Sequence, residues 1–113
     1  MSFQSVIIVA CRTDPFTFII EQGKGIQQFG ANAINSLANV IPTPTAVHQA
    51  ISGFYSSGPA WIRSLGNFPR VRDYVSTRSW DEQYRIGLEI WQHSMTTGGQ
   101  LVDKILEDII LGQ

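Results

Sequence analysis

Ser79-Trp80-Asp81-Glu82-Gln83-Tyr84-Arg85-Ile86-Gly87-Leu88 opens the stretch that decides the fold class. Ser79 can accept from an orphan backbone amide, and Glu82 three residues later completes a capping box. Asp81 and Glu82 also sit at the positive end of the helix dipole. Beyond the cap, Trp80, Tyr84, Leu88, Trp91, Met95, Val102 and Ile109 follow a helical stripe, which Ile86, Ile90, Leu101 and Ile105 widen. Arg85, Glu89, Gln92, Gln100 and Asp103 fall on the other face. The spacing predicts one long helix over 79–111, longer than a chain of this size covers alone. Gly98-Gly99 is the place where such a helix kinks or admits a partner.

Working back toward the N-terminus, prolines punctuate the chain. Asp14-Pro15 reads as a helix start, and Phe16, Ile19, Ile26, Phe29, Ala33, Leu37 and Val40 recur at spacings of three, four or seven. A helix over 15–40 is expected, weakened by Gly23, Gly25 and Gly30 and therefore dependent on packing. Pro42-Thr43-Pro44-Thr45 ends it and starts a second helix, 44–57, with the apolar stripe Val47, Ala50, Ile51 and Phe54. Gly58-Pro59 stops that helix. One further turn follows within 60–65, and then an Arg-rich connector, 62–78. The whole reads as one mostly α chain of 113 residues preceded by a segment 1–14, with elongated helices and a non-globular or assembly-dependent character.

Charge is scarce and unevenly placed. Only 15% of residues are charged, and the 38 residues from Gly25 to Ile62 contain no Asp, Glu, Lys or Arg. So little charge over a third of a chain points to a segment packed against other protein or lipid. The recurring Asn, Gln, Ser and Thr make an autonomous membrane span an unfavourable reading of the same residues. Arg63, Arg70, Arg72 and Arg78 face only Asp73 in the connector, a local balance of +3, whereas 80–113 carries −4. Such an arginine cluster complements acids of its own chain, meets lipid headgroups or partner acids, or is simply solvated. The net charge of −1 offers no general attraction for nucleic acid.

Catalytic signals are thin. His48 and His93 are the only histidines, and Glu89 with His93 supplies two ligands at most, so no metal site is expected. Cys11 stands alone, which excludes an internal disulfide. The apolar run Val6 to Cys11 is short and lacks a basic lead, so it does not read as a signal peptide. Gly23-Lys24-Gly25 looks like a piece of a phosphate loop without its Gly-Lys-Ser/Thr ending, and reads as weak helix packing. Trp61, Trp80, Trp91 and Tyr84 read as core or interfacial belt more readily than as a stacking platform.

Two stretches resemble subunit g of the mitochondrial F-type ATP synthase. Asn39-Val40-Ile41-Pro42-Thr43-Pro44-Thr45-Ala46-Val47-His48-Gln49-Ala50-Ile51 is similar to that family's helix, Pro-Thr-Pro break and following amphipathic helix. Ser79-Trp80-Asp81-Glu82, through Gly87-Leu88 to Gly99-Gln100-Leu101-Val102-Asp103-Lys104, is similar to its capped last helix, with Gln100 where the family has Glu and Asp103 where it has Gly. The resemblance implies a non-catalytic subunit of the inner-membrane complex, pairing with a subunit e-like helix and supporting dimerisation of the membrane sector. It further implies helix packing at Gly87, Ser94, Gly98 and Gly99. Anionic lipid or partner acids are the expected contacts of Arg63, Arg70, Arg72 and Arg78. No cofactor is expected. A helical self-assembly or scaffold module, such as a virion component, is the competing reading, and an enzyme stands third.

Overall fold

The computed structural model describes residues 16–36 and 39–112. The segment 1–14 with Cys11, the helix start at Asp14-Pro15, and Leu37 lie outside the described residues. Where the apolar spacing predicts a helix over 15–40, the chain instead makes strand β1 (Phe16–Phe18), helix α1 (Gln22–Phe29), a single turn α2 (Ala31–Ile34) and strand β2 (Val40–Pro42). β1 and β2 pair antiparallel, with Thr17 opposite Ile41. An aromatic and β-branched run from Phe16 to Ile20 suits a pleated surface, and pairing with a partner more than 20 residues away overrides the helical spacing of the apolar residues. Gly30, at φ +88°, separates α1 from α2 in a backbone conformation that glycine adopts without strain.

Helix α3 (Thr45–Ser56) begins where the Pro-Thr-Pro break requires, within a residue of the expected boundary. It buries Val47, Ile51, Phe54 and Tyr55. Two short helices follow, α4 (Ala60–Arg63) and α5 (Val71–Val75), contributing Ile62, Val71 and Val75 to the same core. Helix α6 (Trp80–Thr97) starts with Ser79 Oγ accepting from the Glu82 amide at 3.3 Å, the cap that its sequence encodes. Ile86 and Ile90 are its fully buried apolar contributions.

The continuous helix expected over 79–111 is two helices. Gly98 takes the left-handed conformation at φ +65°, and the amides of Gly98 and Gly99 both close on the Ser94 carbonyl. Helix α7 (Asp103–Leu111) then runs back along α6, as shown by Arg85 near the start of α6, whose Nη1 donates to the Ile109 carbonyl at 3.2 Å. A cation at that C-terminal end opposes the negative pole of the helix dipole. Folding α7 back lets Leu106, Ile109 and Ile110 join the core formed by α3 to α6. The elongated helix of the sequence reading therefore gives way to a compact hairpin. The radius of gyration is 14.0 Å, close to the roughly 13 Å of a compact chain of this length.

Buried polar groups tie the small sheet to this core. Trp91 Nε1 donates to Thr43 Oγ1 at 3.0 Å, and Thr43 donates in turn to the Ile41 carbonyl, so α6 grips the end of β2. Asn39, fully buried, donates through Nδ2 to the carbonyls of Ile20 and Ile34 and accepts from the Ile20 amide through Oδ1. Those bonds fix the exit of β1 against α2.

Candidate functional site

A cleft of about 300 Å³ opens between the end of β1, the first turn of α1, α3 and α5. Phe18, Ile51, Val75 and Tyr55 supply its apolar wall. Its polar groups come from β1, the start of α1, α3, α5 and α6. Thr17 on β1 and His48 on α3 are hydrogen-bonded through Oγ1 and Nδ1 at 3.2 Å. Glu21, the residue before α1, makes no side-chain cap to its own helix and instead accepts from Arg72 Nη2 of α5 at 3.2 Å. Lys24 stands nearby with Nζ 2.7 Å from Asp73 Oδ1, and Ser52 borders the cleft from α3.

Burial raises the Glu21 carboxyl above its ordinary range, and the Arg72 guanidinium beside it opposes that shift. Burial raises the Tyr55 phenol, with the Glu21 charge adding to the effect and Arg72 opposing it. Asp73, in contrast, is held down to about 2, first by the hydrogen bond from Lys24 and then by that from Arg70. The Arg72 Nε–H is buried and has no partner. A buried donor without an acceptor costs about 1–3 kcal/mol, so this guanidinium has unused binding capacity.

Each of the four connector arginines meets its own chain. Arg63 donates to the Gly58 carbonyl at 2.8 and 3.0 Å, Arg70 to Asp73, and Arg72 to Glu21. Arg78 lies over the Tyr74 ring, 5.2 Å from its centre, and donates to Thr77 Oγ1. Of the three readings that the sequence allows for this cluster, internal complementation of acids describes Arg70 and Arg72.

The positions expected to pack against a partner helix divide. Ser94 is fully buried in the chain's own core, with its hydroxyl unpartnered. A Cβ on Gly87 would overlap the Ile19 carbonyl, so this glycine admits the backbone of its own chain. Gly99 faces Ala46 and Ala50 of α3, and Gly98 is exposed beside open space. His93 Nε2 accepts from the Val102 amide at 3.1 Å and so supports the start of α7. Among the described residues no group of three or more His, Cys, Asp or Glu is placed to hold a metal.

The Glu21–Arg72 pair and the Thr17–His48 contact were not legible in the sequence, because their partners are 51 and 31 residues apart. The Gly23-Lys24-Gly25 segment was a partial signal, since all three residues border the cleft. No described helix is long and apolar enough to cross a membrane. Comparison with family models, curated proteins and solved structures yields no match.

Proposed function

We propose that this chain is a non-catalytic helical component of a larger complex, held through an uncharged face of α3 against an uncharged helix of a partner subunit. The outward stripe of α3 carries the reading: Thr45, Ala46, Gln49, Ser52, Gly53 and Ser56 are all exposed, recur at the one-, three- and four-residue offsets of a single helix face, and include no charge. A solvent-facing surface ordinarily carries about 25–35% Asp, Glu, Lys and Arg. Small side chains over three turns let another helix approach closely, and the absence of charge keeps the desolvation cost of such a contact low. On α1 and α2 the exposed Ile26, Gln27, Gln28, Ala31 and Asn32 are likewise uncharged, beside the exposed Lys24 of α1.

The resemblance to subunit g supplies a specific host, the peripheral membrane sector of the mitochondrial ATP synthase. The resemblance implies a subunit e-like helix against the last helix, but Gly87 and Ser94 of α6 pack within the chain's own core. We therefore assign that helix to the exposed stripe of α3, with anionic lipid nearby and a role in assembly or dimerisation at the inner membrane. Self-assembly is the second reading, in which the same uncharged α3 face meets its own copy, the core that α3 to α7 complete letting each chain fold before it associates. Gentle solubilisation of the native source followed by size fractionation separates these readings. Co-migration with a complex of several different subunits supports the first, a defined oligomer of this chain alone supports the second, and a monomer contradicts both.

A further inference from the structure

We propose that the cleft between β1, α1, α3 and α5 binds a small organic acid, its carboxylate on Arg72 and its apolar body against Phe18, Ile51 and Val75. The volume of about 300 Å³ lies at the small end of ligand sites. The character of the walls selects the ligand. Apolar side chains form one side, and the charged residues of the lining are Lys24, paired with Asp73, and Arg72, paired with Glu21. The Arg72 Nε–H without an acceptor favours an anionic head group, whereas a cation meets Arg72 and Lys24.

Arg72 narrows the head group further. Its Nη2 is engaged by one Glu21 oxygen while Nε, on the same edge of the guanidinium, is buried without an acceptor. A planar carboxylate presents two oxygens at the spacing of that edge, the geometry that makes arginine its preferred receptor. Glu21 already imitates half of this contact. Its carboxyl, raised by burial, is the group that an incoming carboxylate displaces or, when protonated, receives a hydrogen bond from. Gly23 leaves the α1 side open, since a Cβ there would meet nothing within 4 Å.

The test is titration of the full chain with hexanoate, followed by amide resonances in two-dimensional NMR, beside hexanol, hexylammonium and inorganic phosphate. Saturable shifts at Thr17, Gly23, Gly25 and Val75 with hexanoate are expected, with a dissociation constant of about 1 mM or below. Hexanol, hexylammonium and phosphate should each bind at least about tenfold more weakly. Arg72→Lys, which keeps the charge and removes the fork, should weaken hexanoate about fivefold or more. Ser52→Phe occupies the cleft from an exposed position outside the core and should abolish the shifts in a folded protein. No saturable shift with hexanoate, equal binding of hexanol or phosphate, or full binding by a folded Ser52→Phe variant would overturn the proposal.

Discussion

The side chain of Asn39 holds the backbone of Ile20 from both sides, accepting from its amide at 2.7 Å and donating to its carbonyl at 3.0 Å. The same Nδ2 reaches the Ile34 carbonyl at 2.8 Å, and the Asn39 carbonyl accepts from the Ile19 amide at 2.9 Å. One buried amide thus stands in for sheet hydrogen bonds where β1 ends, and it joins β1, α2 and the entry to β2.

Asn39→Ala leaves the Ile20 amide and two buried carbonyls without these partners, and should cost about 3 kcal/mol. Asn39→Asp keeps the acceptor and the shape but turns a donor into an oxygen facing two carbonyls, so its loss should be at least as large at neutral pH. Urea denaturation monitored by circular dichroism reads both. An Asp variant as stable as the natural chain would contradict the assigned bonding.

Gly87 and Gly53 are both helix-interior glycines with opposite surroundings. At Gly53 a Cβ meets nothing within 4 Å, so Gly53→Ala should stabilise the chain by about 0.5–1 kcal/mol. At Gly87 the Ile19 carbonyl occupies the place of the Cβ, and backbone cannot yield as a side-chain tip does. Overpacking of about 3 kcal/mol exceeds the propensity gain, and Gly87→Ala should destabilise by about 2 kcal/mol. Equal effects at the two sites, read from denaturation midpoints, would contradict the contact of α6 with the Ile19 backbone just after β1.

Asp73 and Glu21 predict opposite pH dependences. Asp73 is depressed to about 2, so its contribution is present above its unfolded pKa and fades as pH falls through about 2. Asp73→Asn should therefore be less stable than the natural chain at pH 6 and converge with it toward pH 2. The Glu21 carboxyl is raised, so its contribution is present below the ordinary carboxyl range and is lost as pH rises through the folded value. Glu21→Gln should flatten that descending limb. Stability curves for the two variants that move in the same direction would contradict the site electrostatics.

Local signals were legible where chemistry acts within a few residues. Ser79 and Glu82 mark the start of α6, and Pro42-Thr43-Pro44 marks the start of α3. Val47, Ile51 and Phe54 of the expected stripe are buried as read. Legibility ended where distant residues decide. Phe16–Phe18 is a strand because Val40–Pro42 pairs with it, whereas the local apolar spacing pointed to a helix. Gly98-Gly99 marked an interruption of α6, but its extent depended on contacts farther along the chain. His93 receives the Val102 amide and Arg85 reaches the Ile109 carbonyl, making the interruption a reversal. The cleft was the least legible feature, since Glu21, His48 and Arg72 meet only after β1, α3 and α5 have packed.

The most direct test of the assembly role places charge on the uncharged stripe of α3. Gln49 and Ser56 are exposed and seven residues apart on that helix, so Gln49→Lys with Ser56→Lys should leave the helical circular-dichroism signal and the denaturation midpoint nearly unchanged. Expressed in the native host and fractionated by size after gentle solubilisation, the doubly substituted chain is predicted to leave the large complex and run near its own mass of 12.6 kDa. A folded double variant that stays in a complex of the same size, with the same subunits, would contradict the account.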